Sequence, residues 1–168
     1  MEKAQIEQLT QWYRQYGPEL LLFARQLTTE QAAEDAVQEA FVQLVRQSQP
    51  PENVRAWLYR VVRNTARTLF RRLRHQTVRQ RMARTPENDW FDPCPDDMMD
   101  AQYAQHLLEA LPRTQREIVV MRIWGQMTLK EISDLIQKPV SSVHRLYEVA
   151  LETLRMKWEA TPCARNPD

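Results

Sequence analysis

The sequence predicts an all-α protein of two small helical domains joined by an acidic, proline-containing linker. Three observations lead there. Apolar residues recur at three- and four-residue intervals over most of the chain, the spacing that lays a stripe along one face of a helix. Only two glycines are present, Gly17 and Gly125, too few for the tight turns that hairpins need. Between the helical halves, "TPENDWFDPCPDDMM" (85–99) gathers three prolines and five acids with no helical period, which reads as an extended connector. The expected boundaries are a first domain over 1–84, the linker over 85–99, a second domain over 100–160 and a frayed tail over 161–168.

The first helix is expected to run to about Leu27 on Ile6, Leu9, Tyr13, Leu20, Leu21, Phe23, Ala24 and Leu27, with Gly17-Pro18 kinking or breaking it. A second starts near Thr29. Its core stripe is Ala33, Ala36, Val37, Ala40, Phe41, Leu44 and Val45, and "SQPPEN" (48–53) stops it. A third contains "RAWLYRVVRNTARTLFRRLR" (55–74). Beyond the linker come a helix over about 100–110, another after Leu111-Pro112 running to Trp124, and two short helices separated by "QKP".

Charge is arranged by region. The formal net charge is only +1, yet Met1 to Val54 carries four basic and eight acidic residues while Arg55 to Arg84 carries ten arginines and no acid. Residues 85–112 hold seven acids and neither Lys nor Arg. No apolar run is long enough for a membrane span and the N-terminus lacks a signal-peptide pattern, so the cytoplasm is the expected compartment. Cys94 and Cys163 have no metal-ligand spacing. There is no Gly-rich phosphate loop and no paired carboxylates in an apolar setting, and His75, His106 and His144 are scattered. An enzyme is therefore not expected, nor a cofactor or metal.

On the third helix Arg60, Arg63, Arg67, Arg71 and Arg74 step by three and four residues and form one longitudinal stripe. Leu58, Val61, Thr65, Leu69 and Leu73 are expected on the opposite, packed side. Like charges at that spacing repel by a few tenths of a kcal/mol per pair, a cost that a polyanion would offset. Arginine also suits bidentate contact with phosphate, which favours nucleic acid over a merely solvated face. Trp57, Tyr59 and Phe70 lie among the arginines and would suit base stacking if exposed, although Trp57 is expected in the core.

"TLKEISDLIQKPVSSVHRLYEVALETLR" (128–155) has the pattern of a helix-turn-helix. Thr128 with Glu131 fits a capping box, Ile132, Leu135 and Ile136 form the apolar face, 137–140 make the turn, and Ser141 can cap the next helix. Val143, Leu146 or Tyr147, Ala150 and Leu154 would anchor that helix. Ser142, His144 and Arg145 would then face a major groove. A helical hairpin used only for packing fits the pattern equally well.

Taken in order, four stretches resemble the extracytoplasmic-function class of bacterial RNA polymerase sigma factors, over about Tyr16 to Trp158. "AEDAVQEAF" (33–41) is similar to the family's core-polymerase-binding helix and "RAWLYRVVRNTA" (55–66) to its promoter-melting helix. "LPRTQREIVVMRIW" (111–124) is similar to the lead-in of the family's region 4, and "TLKEISDLIQKPVSSV" (128–143) to its helix-turn-helix. The resemblance implies a region 2-like bundle and a region 4-like domain that bind core RNA polymerase and promoter DNA, both double-stranded and melted. It also leaves room for an anti-sigma factor as a partner.

By that resemblance, Asp35, Gln38 and Glu39 would meet the polymerase clamp, where an acidic face suits a basic partner. Asn53, Arg55, Arg60, Arg63, Asn64, Arg67 and Arg71 would hold the minus-10 element, and 48–52 would lie beside a captured flipped base. Ser142, His144, Arg145 and Glu148 would read the minus-35 element, and the linker would occupy the RNA-exit path. Gln137 stands where the family commonly has glycine, so a left-handed backbone there would cost up to about 1 kcal/mol. Leu146 replaces a common arginine, and Ala36 and Ala40 replace larger or hydroxylated residues. The alternative is a stand-alone regulator that binds an operator through the helix-turn-helix.

Overall fold

The computed structural model describes residues 3–79 and 106–159. Its helices are α1 (Lys3–Arg25), α2 (Glu30–Val45), α3 (Val54–Arg79), α4 (Arg113–Ile123), α5 (Leu129–Ile136) and α6 (Val140–Glu159). Residues 106–109 are also helical, and no strand occurs among the described residues. The chain divides into two compact units, one carrying α1 to α3 and the other α4 to α6. The expected linker, both cysteines and the tail lie outside the described residues.

In the first unit α1 continues through Gly17-Pro18, so the expected break does not occur. Pro18 supplies no N–H to the Arg14 carbonyl, but Leu20, Phe23 and Ala24 are fully buried one turn on, and packing outweighs the missing hydrogen bond. A Cβ on Gly17 would meet the Tyr13 ring at 3.9 Å, an ordinary contact, so sterics do not demand glycine.

Thr29 is the N-cap of α2, with extended backbone and no side-chain capping bond. Glu30 faces the helix N-terminus and is held by Arg25 at 2.5 Å. Ala33, Ala36, Val37, Ala40, Phe41 and Leu44 are buried as the period predicts, and Ala32 joins them. Val45 departs from the expectation at 44% exposed, lying in the last turn of the helix.

Asn53 starts α3: its Oδ1 accepts from the Ala56 N–H at 3.0 Å, and its carbonyl accepts from the Trp57 N–H. The buried seam of α3 is Leu58, Tyr59, Val62 and Ala66. Val61, Thr65, Leu69 and Leu73, expected to pack, are only half-buried, so the seam is rotated from the expected line. The three helices contact one another pairwise. Edge-on packing of Tyr13 on Phe41 and tilted packing of Phe23 on Tyr59, each at 5.0 Å between ring centres, ties α1 to α2 and α3.

In the second unit α4 packs against α5 and α6, and α5 against α6. Residues 117–121 of α4 are all buried, including the carboxylate of Glu117, which Arg113 approaches at 3.5 Å. Arg116 donates to the carbonyls of Glu109 at 3.0 Å and Leu111 at 3.1 Å. It thereby covers the exposed end of the preceding helical turn. Burial holds the Arg116 guanidinium below its ordinary pKa, with Glu109 opposing that shift.

Candidate nucleic-acid interface

The helix-turn-helix is closed by specific local bonds. Thr128 Oγ1 accepts from the Glu131 N–H at 3.2 Å while Glu131 Oε2 accepts from the Thr128 N–H at 2.8 Å, the expected reciprocal capping box. Ile132, Leu135 and Ile136 are buried. Gln137 adopts the left-handed region at φ 56°, ψ 48°, where a Cβ is strained. The turn is nevertheless held twice from Ser133, whose hydroxyl donates to the Lys138 carbonyl at 2.5 Å and whose carbonyl accepts the Lys138 N–H at 3.2 Å. Helical periodicity does not mark Ser133; its signal is a serine four residues before the left-handed position.

Two expectations for α6 fail. It begins at Val140, with the Pro139 carbonyl accepting from the Val143 N–H at 3.0 Å, so Ser141 lies inside the first turn and is not the cap. It is also 20 residues long, and only α5 is short. Proline fits the position before the first helical residue because it has no N–H to leave unpaired.

Val143 and Ala150 are fully buried, with Leu146, Tyr147 and Leu154 half-buried beside them, and this phase turns His144, Arg145 and Glu148 to the surface. Ser142 is half-buried. His144 Nδ1 lies 3.3 Å from Glu148 Oε2 one turn later, so two of the four expected base readers are each other's partners.

On α3 the arginine stripe divides. Arg60, Arg71 and Arg74 are exposed, as is Asn64, while Arg67 is half-buried and Arg63 is only 8% exposed. Arg63 flanks Val62 and Ala66 in the helical projection, so the rotation that buries that seam takes Arg63 in with it. The described part of the helix contains no acidic residue. Of the interleaved aromatics, Tyr59 is fully buried and not available for stacking, and Trp57 and Phe70 are half-buried.

Arg55 points inward as well. Its Nε lies 3.6 Å from Glu19 Oε1, and its guanidinium carbon sits 5.3 Å from the centre of the Tyr16 ring. Burial raises the Glu19 carboxyl above its ordinary pKa, and Arg55 opposes the rise. The Tyr59 phenol is raised as well, first by burial and then by the Glu19 charge. Glu19 and Tyr16 come from α1, and no sequence period connects them with Arg55.

The acidic side of α2 presents Glu34, Asp35 and Gln38 to solvent, with Glu39 half-buried and accepting from Gln43 Nε2 at 2.8 Å. Among the described residues no group of three His, Cys, Asp or Glu side chains could hold a metal ion, and no helix is long and apolar enough to cross a membrane.

Comparison with known proteins gives the arrangement a family. The profile of sigma-70 region 2 matches residues 12–76 and that of sigma-70 region 4 matches residues 101–154, together well over half of the chain. No curated protein sequence matched. The fold is similar to the sigma factor RpoE solved with the anti-sigma factor NepR from Bartonella quintana: TM-score 0.74, 20% identity, covering 92% of this chain and 98% of that one. It is also similar to CnrH solved with the cytosolic domain of CnrY: TM-score 0.62, 23% identity, covering 90% and 88% of the respective chains. With region 2 and region 4 following one another on three helices each, the chain belongs to the sigma-70 family of sigma factors, which bind core RNA polymerase and promoter DNA to initiate transcription.

Proposed function

We propose that α2 docks on the polymerase clamp through Asp35, Gln38 and Glu39, while the α3 face of Arg60, Asn64, Arg67 and Arg71 holds the minus-10 DNA as it opens. The observation that carries this reading is the segregation of charge: α3 exposes Arg60, Arg71 and Arg74 and has no acid in its described length to neutralise them. Asn53, Arg55 and Arg63 support that face, since one caps the helix, one is joined to Glu19 and one is buried. Ser142, His144, Arg145 and Glu148 read the minus-35 element, and residues 85–99 connect the region 2 domain (1–84) to the region 4 domain (100–160). The protein has no catalytic chemistry of its own and works in the cytoplasm with the polymerase. An anti-sigma factor fits as a regulator, because the RpoE relative was solved with one.

Run-off transcription tests this reading with the purified full chain, core polymerase and a pool of duplexes randomised over the minus-35 and minus-10 blocks. Transcripts that depend on the added chain are expected. Charge reversal at Asp35 and Glu39 should weaken holoenzyme assembly by about tenfold or more, the scale of losing close complementary charges. Failure of the chain to associate with polymerase would overturn the reading, and so would tight unaided binding of a dimer to an operator.

A further inference from the structure

We propose that His144 and Glu148 read one base pair of the minus-35 element as a coupled unit, His144 as the contact residue and Glu148 as a positioning residue that selects its tautomer. The inference deepens the minus-35 assignment above and rests on it. Burial of Val143 and Ala150 fixes the phase of α6, and that phase puts both side chains on the exposed side, one turn apart. The 3.3 Å approach is made by Nδ1, not Nε2.

A carboxylate can only accept, so the single ring proton of a neutral imidazole is favoured at Nδ1, where it faces Glu148. Nε2 is then left as a lone-pair acceptor at the outer tip of the ring. In the major groove such an acceptor is complementary to an exocyclic amino group, N6 of adenine or N4 of cytosine. It has nothing to accept from guanine, whose groove edge offers N7 and O6, both acceptors. Arg145, next in sequence and also exposed, has the opposite preference because a guanidinium only donates. Two adjacent residues thus carry opposite hydrogen-bond polarity, and Glu148 maintains the difference.

The test uses holoenzyme assembled from the full chain and core polymerase, at about pH 8. Bound duplexes are sequenced from a pool randomised only over the minus-35 block. The unaltered protein should enrich one base pair about fivefold at one position, the effect of one hydrogen bond. His144→Ala should abolish that enrichment, and Glu148→Ala should reduce it to less than about twofold while leaving the position read by Arg145 unchanged. Glu148→Gln, whose amide oxygen can accept from Nδ1–H, should retain most of it. The double alanine variant should match His144→Ala alone, since a coupled pair is non-additive.

If Glu148→Ala and His144→Ala altered different positions, or if their effects added, Glu148 would be an independent reader and the coupling would be wrong. Enrichment at the His144 position that stayed near fivefold in Glu148→Ala would overturn the tautomer assignment. Absence of any minus-35 preference would overturn the assignment of α6 itself, and this inference with it. Both side chains are exposed, so the variants are expected to keep the helical content of the parent protein.

Discussion

Arg55 Nε stands 3.6 Å from Glu19 Oε1, an ion pair that joins the first turn of α3 to the middle of α1 beside the Tyr16 ring. Burial dominates the carboxyl, so its pKa in the folded protein lies above its ordinary value in spite of the neighbouring cation. A carboxyl with a raised folded pKa contributes most to stability below its unfolded pKa of about 4.3 and loses that contribution as pH rises through the folded value. Glu19→Gln should therefore gain stability relative to the parent as pH is raised from about 4 to 7. Urea midpoints measured across that range for both proteins check it. A difference that shrinks with pH would mean that Arg55 outweighs burial, and a constant one that the two balance.

Tyr59 lies against Phe23 with a buried hydroxyl that has no hydrogen-bond partner among the described residues. Tyr59→Phe removes the polar atom and keeps the ring. Stability should change by between zero and about +1 kcal/mol, because an unpaired buried hydroxyl forfeits its hydration for no return. A loss above about 1 kcal/mol would reveal a partner such as a buried water.

Gln137 holds φ 56° at the turn between α5 and α6. Gln137→Gly should stabilise the second unit by about 0.5–1 kcal/mol, the relief of left-handed strain less the greater freedom of glycine in the unfolded chain. Thermal unfolding reads this directly, and an unchanged or lower midpoint would contradict it.

Arg116 bonds two carbonyls, at Glu109 and Leu111, from a half-buried position. Arg116→Ala should cost about 1–3 kcal/mol by leaving those acceptors poorly satisfied. Lysine should recover only part of it, having no planar fork to reach both. Denaturant unfolding of the two variants would distinguish this from a purely electrostatic role, in which lysine would restore everything.

Arg60 and Arg71 are exposed and Arg63 is buried, so alanine at these positions should give different phenotypes. Arg60→Ala and Arg71→Ala should leave stability within about 0.5 kcal/mol and impair promoter opening, detected by permanganate reactivity of unpaired thymines. Arg63→Ala should lower stability by about 1–3 kcal/mol, since a buried charged residue is engaged by its surroundings. Equal destabilisation by all three would make the exposed arginines structural.

The left-handed risk at Gln137 came from the family resemblance, whereas the α2 stripe from Ala33 to Leu44 and the Thr128–Glu131 capping box could be read from the residues themselves. Each depends on residues within a turn or two of one another, where helical geometry alone decides which atoms meet. The run of arginines in α3 was legible for the same reason, and the order of the two units followed from the resemblance. Tertiary structure decided which of those arginines are exposed. Leu58, Tyr59, Val62 and Ala66 pack inward, and that choice draws Arg63 into the protein while leaving Arg60 and Arg71 in water. It also decided that α1 survives Pro18, because fully buried Leu20, Phe23 and Ala24 outweigh one lost hydrogen bond, and that Arg55 turns to Glu19 on another helix. Local periodicity specifies a helix and its possible faces; the rotation that selects one face is set by the fit of side chains from all three helices at once, which no single segment encodes.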